Sequence, residues 1–300
     1  MIIRGRAPLR LGLAGGGTDL NDVFEKYGGC VINATIDKYV HAEVSKGYCS
    51  VNGRQPDTFT KILLDRLGVK NVKINTWCEV PWGRGLGSSS TYSILLAKLI
   101  MELKEIKKTD NELAQLVYGV ENILGKCGWQ DQYASLKGGF NWMEFGIEKN
   151  IYPLRIKNKT INELEERLCL VYSGITHNSG MVQSSKSQLS KEKIYKLKEL
   201  AIKTRDCLLE DNIESIGFLL NEGWKIKKED ATTSLEIEKL YDLGIKSGAI
   251  GGKVSGAGKG GYILFFIPPE KMYNFREQMM KNNFEILDFK FTNKGVETWI

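Results

Sequence analysis

An α+β protein of two domains is predicted by three observations. The first third of the chain alternates like strands before turning helical, the sequence becomes polar from Ile156 to Glu166, and a second run of helices then ends in strand, helix and strand. The polar stretch IKNKTINELEE sets the boundary near residue 160, giving units of 1–160 and 161–300. With 300 residues, 42% of them hydrophobic, the chain has enough apolar surface for two such cores.

The N-terminal stretch MIIRGRAPLRLGLAGGG has scattered arginines and no long apolar core, so it reads as the first strand and not as a signal peptide; a cytoplasmic location is expected. Cys30 to Val44 is rich in β-branched and aromatic residues between Gly28-Gly29 and Gly47, which predicts a second strand. From Asn52 to Gly68 the pattern turns helical, with Phe59, Ile62, Leu63 and Leu67 on one face, and VKINTWCEV returns to strand. A helix carrying Ile94, Leu95, Leu99, Ile100 and Leu103 follows, then another from Asp110 to Leu124. The second unit opens with the strand CLVYSG and continues through helices at Ser190–Glu210, Ile213–Trp224 and Ser234–Gly244. A glycine-rich turn, the strand YILFFIP, a helix at Glu270–Lys281 and a last strand, EILDFKF, complete it.

Composition narrows the function classes. No stretch approaches the ~20 apolar residues of a membrane span, and no membrane partner is expected. The formal charge of +6 comes from dispersed lysines without a basic run, so no nucleic-acid partner is expected either. Six cysteines with no CxxC pair, and only His41 and His177 as histidines, support neither a disulfide framework nor a zinc site. A small phosphorylated ligand suits the mild positive charge.

Three glycine-rich stretches stand out: AGGGTD (Ala14–Asp19), PWGRGLGSSS (Pro81–Ser90) and KVSGAGKGG (Lys253–Gly261). In the second, Gly83, Gly85 and Gly87 let the main chain approach a ligand closely, and the following helix offers unpaired N–H groups and a positive dipole end. An anion belongs there; taken alone, the stretch also fits an ordinary serine-capped helix. The third stretch contains GxGxxG but runs into a strand, which argues against a dinucleotide fold, and no GxxxxGK[ST] of the Walker type is present.

In order and spacing these stretches resemble the motifs of the galactokinase, homoserine kinase, mevalonate kinase and phosphomevalonate kinase superfamily. APLRLGLAGGGTD is similar to its first motif, PWGRGLGSSS to its phosphate loop and KVSGAGKGGYILFF to its third. GGGTD and GWQDQYASLKGGFNWMEF resemble the branch of sugar 1-kinases that includes the heptose 7-phosphate kinases, with hexose and fucose 1-kinases as neighbours. The resemblance implies a ribosomal-protein-like N-terminal domain and a ferredoxin-like C-terminal domain, with ATP and a small-molecule sugar or sugar phosphate meeting between them. A catalytically silent sugar and nucleotide sensor of the same fold is the alternative from another class.

Phosphoryl transfer needs a phosphate cradle, Mg²⁺ ligands, a cation and a group that orients the acceptor hydroxyl. By resemblance, Gly83, Arg84, Gly85, Leu86, Gly87, Ser88, Ser89 and Ser90 cradle the ATP phosphates together with Gly256, Ala257 and Gly258. Ser89 and Glu121 match the Mg²⁺ ligands, Asp131 the carboxylate that takes or orients the hydroxyl proton, and Arg10 the cation between it and the γ-phosphate. Asp19 matches a sugar-binding carboxylate, with Gly16, Gly17, Thr18, Gln130 and His177 around the sugar. Without the resemblance, Glu121 reads as an exposed helix residue and Asp131 as a cap. Trp82, Arg84 and Lys259 depart from the usual wording, the stretch between Lys46 and Lys70 is short, and Arg84, Lys186 and Lys259 are candidates for reading a distal phosphate.

Overall fold

Long runs of β-branched residues build the first sheet, and an irregularity in its first strand decides what Arg10 meets. A computed structural model describes residues 1–125, 127–176, 189–229, 233–256, 258 and 260–300. Strands β1 (Ile2–Ala14) and β2 (Gly29–Lys46) pair antiparallel, with register shifts between Pro8 and Arg10 and between Gly12 and Ala14. Such shifts bend a strand and re-aim its groups. Here the Arg10 N–H donates to the Leu86 carbonyl of the phosphate loop at 3.1 Å.

Strands β3 (Ser50–Val51), β4 (Val72–Cys78), β5 (Phe140–Phe145) and β6 (Lys149–Pro153) extend this sheet, with β5 and β6 added along the first half of β2. Helices α1 (Asn21–Tyr27) and α2 (Thr58–Arg66) lie in the connections, and Asp57 caps α2 by accepting from the Thr60 N–H at 2.7 Å. Helix α3 (Ser88–Leu103) lies on β1 and β2 with Ile94, Leu95, Leu96, Leu99 and Ile100 fully buried, flanked by α4 (Asp110–Leu124) and α5 (Gln130–Lys137). A reciprocal Thr109–Glu112 capping box starts α4.

After α6 (Asn158–Arg167) comes β7 (Leu168–Tyr172), which joins β8 (Gly251–Val254), β9 (Tyr262–Phe266) and β10 (Ile286–Leu287) in a second antiparallel sheet ordered β10-β7-β9-β8. Period-two alternation divides the central strands between two cores. Leu168, Leu170, Tyr262, Leu264 and Phe266 join the large core shared with the first sheet, while Cys169, Val171, Ile263 and Phe265 face a smaller one. Burial on both faces explains why YILFF is an unbroken apolar run. Helices α7 (Lys191–Glu210) and α8 (Glu214–Glu229) pack together and against β1, so they bridge the sheets; α9 (Leu235–Lys246) and α10 (Pro269–Lys281) contribute Ile237, Leu240, Phe275 and Met279 to the smaller core.

Two elements differ from expectation. The stretch EILDFKF is not one strand: only Ile286 and Leu287 pair with β7, after which the chain crosses to the first sheet and ends in β11 (Glu297–Trp299) on β1. The aromatic spacing explains the departure, because Phe291 packs its ring at a tilt against Phe140 of β5, with ring centroids 4.6 Å apart. Helix α8 runs to Glu229, beyond the expected end at Trp224, and so includes Lys227, which donates to the Gly256 carbonyl at 2.6 Å. Among the described residues, no helix is long and apolar enough to cross a membrane.

Candidate active site

The second glycine stretch, Pro81–Ser90, is a turn built on left-handed glycine backbones. Gly87, the N-cap of α3, is left-handed at φ 76°, and Gly85 has φ 84° with the space for a Cβ taken by the Ser255 carbonyl, 2.7 Å away. The second and third glycine stretches therefore touch backbone to backbone. The Tyr262 N–H donates to the Arg84 carbonyl at 3.0 Å and the Ser255 hydroxyl to the Gly85 carbonyl at 2.8 Å. Against this seam stands the N-terminus of α3, whose first N–H groups lack intrahelical acceptors, an arrangement that fits polyphosphate.

Arg10 reaches the same seam from below. It is 5% exposed, donates through Nη1 to the Gly85 carbonyl at 2.8 Å, and forks onto Asp131 with Nε–Oδ1 at 2.6 Å and Nη2–Oδ2 at 2.7 Å. Asp131 lies in the first turn of α5, where the helix dipole favours a negative charge. The Asp131 side chain remains 21% exposed, which leaves its outer lone pairs open to a ligand.

Family models for the GHMP kinases match residues 57–139 (N-terminal domain) and 204–286 (C-terminal domain). The D-glycero-α-D-manno-heptose 7-phosphate kinase of Campylobacter jejuni is 36% identical, covering 99% of this chain and 98% of its own. The chain belongs to the GHMP kinases. A D-glycero-D-manno-heptose 1-phosphate kinase from Bacteroides thetaiotaomicron has a similar structure, with a TM-score of 0.82 at 29% identity over 99% of each chain. A sugar kinase structure from Campylobacter jejuni gives 0.78 at 33% identity over 99% of this chain and 98% of that one. As a GHMP kinase, the chain is an ATP-dependent phosphotransferase.

In the first glycine stretch of this GHMP kinase and beside it, Gly16, Gly17 and Gln130 are partly exposed, whereas Thr18 and Asp19 are 0% and 1% exposed. Thr18 and Asp19, expected at the sugar, use their side-chain oxygens to hold the loop in this structure. Thr18 Oγ1 donates to the carbonyls of Gly15 and Cys30, and Asp19 accepts from the N–H groups of Gly17 and Gln130 and from the Gln130 amide at 3.0, 3.1 and 3.1 Å. Burial raises the Asp19 carboxyl, the hydrogen bonds from Gln130 and Gly17 oppose the shift, and the Asp131 charge adds to it. Asp19 thus ties the first glycine stretch to the helix that carries Asp131.

Glu121 is partly buried, not an exposed helix residue. It accepts from Ser90 at 3.1 Å and Ser93 at 2.9 Å, and from the Gln132 amide. Helix phase decides which serines Glu121 meets. Ser90 and Ser93 lie three residues apart on the face of α3 that meets α4, while Ser89 is turned about 100° away and exposed. Burial pushes the Glu121 carboxyl up to about 7 against the bonds from Gln132, Ser93 and Ser90, and the Asp131 charge adds to the rise. A carboxylate so destabilised favours a nearby cation.

Arg84, expected at the nucleotide phosphates or at a distal phosphate, has its guanidinium bonded within the protein. Its guanidinium stacks on the Tyr172 ring at 3.8 Å and donates to Glu285 at 2.6 Å and to the Tyr262 hydroxyl at 3.0 Å, clamping the loop to the second sheet. Ser88 is buried and Leu86 is 1% exposed, so these two positions present backbone and not side chain. His177, Ala257, Lys186 and Lys259 lie outside the described residues. Sequence reasoning missed Ser93, Gln132, Lys227 and Lys253. The i, i+3 spacing of Ser90 and Ser93 was the available signal for the first; Lys227 sits in a lysine-rich helix end and Lys253 in a glycine-rich stretch, and neither setting marks it.

Proposed function

We propose that this chain transfers the γ-phosphoryl group of ATP to the anomeric hydroxyl of D-glycero-D-manno-heptose 7-phosphate, giving the 1,7-bisphosphate. The observation that carries the chemistry is the two-point Arg10–Asp131 pair at the foot of the phosphate loop. The full-length similarity to a heptose 7-phosphate kinase supports the acceptor.

Asp131 receives the acceptor hydroxyl on its open lone pairs and takes its proton as the new O–P bond forms. The bond from the γ-phosphorus to the β,γ-bridging oxygen breaks, and the electron pair leaves with ADP. Arg10 keeps the carboxylate in one orientation, and its charge beside the loop offsets the negative charge on the moving phosphoryl group. Asp19, through the Gln130 N–H, fixes the start of α5 and with it Asp131. Glu121 and the hydroxyls of Ser89 and Ser90 are hard oxygen donors suited to Mg²⁺, which takes one or two carboxylates beside phosphate oxygens and supplies neutralising charge.

The test is ADP release from Mg-ATP across heptose 7-phosphate, unphosphorylated heptose, mannose, mannose 6-phosphate, fucose and galactose, with mevalonate and homoserine as controls. Turnover is expected with heptose 7-phosphate and no other acceptor at comparable kcat/KM. Preference for a different sugar would overturn the acceptor; silence with all of them, despite ATP binding, would overturn the kinase reading.

A further inference from the structure

Three successive residues at the start of α5 are bonded to three different walls of the site. Gln130 is held by Asp19 of the first glycine stretch, Asp131 by Arg10 under the phosphate loop, and Gln132 donates through its amide to Glu121 of α4. Neighbours on a helix are turned about 100° from one another, so one turn can serve three partners.

The reaction proposed above gives Gln132 no part, and its burial asks for one. The side chain is 0% exposed, where an apolar residue of the same length would fill the space. Its Oε1 is buried without a hydrogen-bond partner among the described residues. An orphaned buried carbonyl is destabilising, and methionine would avoid it. What methionine could not supply is the N–H that Glu121 receives, so the donor end accounts for the amide.

Glu121 is held from two sides. Ser93 donates to its Oε1 at 2.9 Å and Ser90 to its Oε2 at 3.1 Å, both from α3, while Gln132 donates to Oε2 from α5. Donors from one helix to the two oxygens define a line, and a third donor from a second helix fixes the plane of the carboxylate about it. Helix α5 does not depend on this bond for its own place. Thr91 of α3 and Ser135 of α5 share a hydrogen bond at 2.9 Å, and Asp131 has its fork onto Arg10.

Groups bonded to a metal-ligating carboxylate orient it, and their loss weakens the metal. Resting on the kinase reading and on Glu121 as a donor to Mg²⁺, we propose that Gln132 is a positioning residue for the metal, its amide fixing the plane of the Glu121 carboxylate that meets the ion of the metal–nucleotide complex. The first turn of α5 then sets both the carboxylate that receives the hydroxyl and the one that receives the metal.

Gln132→Met tests this, since it keeps the length of the side chain and removes the amide. With a non-hydrolysable ATP analogue bound, the affinity for Mn²⁺, read from water-proton relaxation, should fall by about 10- to 100-fold. The same substitution in Glu121→Gln protein should lower it no further, because the carboxylate that Gln132 orients is gone. Excess Mg²⁺ should restore kcat with heptose 7-phosphate to near the wild-type value, because Asp131 keeps its own pair. Unchanged Mn²⁺ affinity, an equal loss in both backgrounds, or a kcat that excess Mg²⁺ does not restore would overturn the proposal and leave Gln132 a packing residue of α5. Should Gln132→Met not fold, Ser93→Ala releases the other oxygen of the same carboxylate and should weaken Mn²⁺ in the same sense; unchanged affinity there would overturn the proposal too. Wild-type protein that adds nothing to the Mn²⁺ affinity of the analogue alone would overturn Glu121 as a metal ligand, and this proposal with it, even where a sugar is phosphorylated. Loss of Mn²⁺ with Gln132→Met in a protein that phosphorylates no sugar would overturn the kinase reading alone.

Discussion

Arg10 and Asp131, 121 positions apart in the chain, meet as a two-point ion pair whose third anchor is the Gly85 carbonyl of the phosphate loop. Arg10 comes from the edge of a strand bulge, Asp131 from the first turn of a short helix, and Gly85 from a turn with a left-handed backbone. The plane of the carboxylate is thereby fixed relative to the loop that fits the phosphates. A hydroxyl held on Asp131 then approaches the phosphorus from one direction, which is where positioning contributes to rate.

Asp131→Asn should lower kcat by roughly 10²- to 10⁴-fold, because the amide keeps the shape of the carboxylate but cannot take a proton. Arg10→Lys should also be impaired, since an ammonium cannot reproduce the fork onto both oxygens. Steady-state kinetics, with a thermal melt to show that each variant is folded, checks both. Turnover retained in folded Asp131→Asn would mean that the hydroxyl needs no carboxylate.

Glu121 gives the site a pH dependence of definite sign. Its carboxyl titrates near 7 in the folded chain and near 4.5 when unperturbed, so between these values the folded state binds the extra proton. Stability contributed by the protonated form is therefore complete below about pH 4.5 and is lost as pH rises through 7. Glu121→Gln removes that titration. In urea unfolding without Mg²⁺, the variant should gain on the wild type from pH 5 to pH 8, and Mg-ATP at pH 8 should narrow the gap by favouring the charged carboxylate. A stability difference that does not vary with pH would refute the assignment.

The Arg10–Asp131 pair and the strands were legible in the sequence because each leaves a local mark. Arg10 interrupts an alternation of leucines, Asp131 lies in a polar knot of aromatic and amide residues, and YILFF is apolar throughout because both of its faces are buried. What was missed depends on helix phase or on distant contacts. Three identical residues open α3, so composition does not say which serine faces Glu121. Lys227 sits in KIKKE, which reads as a solvated helix end, and only its bond to the Gly256 carbonyl ties it to the third glycine stretch. The three residues of β11 are too few to show a period.

Arg84 joins the domains through one planar group, stacked on Tyr172 and bonded to Glu285 and Tyr262. Glu285 is about half exposed, so its ion pair is screened, and the stacking and the bond to Tyr262 carry much of the stabilisation. Arg84→Ala should lower the unfolding free energy by about 1–2 kcal/mol, and Arg84→Lys by nearly as much, because an ammonium does not stack as a guanidinium does. Urea denaturation measures both. Unchanged stability combined with a tenfold rise in KM for ATP would instead return Arg84 to the phosphates.

Gly85 and Gly53 separate backbone strain from contact. Both are left-handed, at φ 84° and 74°, so alanine at either position meets a conformational penalty of about 1–2 kcal/mol. Around Gly53 nothing lies within 4 Å of a built Cβ, whereas at Gly85 the Ser255 carbonyl is 2.7 Å away and cannot move without opening the seam between the two glycine loops. Opening it would also shift the carbonyl on which Arg10 and Ser255 converge. Gly53→Ala should therefore lower Tm while leaving kinetics near wild type. Gly85→Ala should lower Tm by more, raise KM for ATP at least tenfold and reduce kcat through Arg10. Equal kinetic behaviour of the two variants would show that the contact of Gly85 with Ser255 has no part in nucleotide binding.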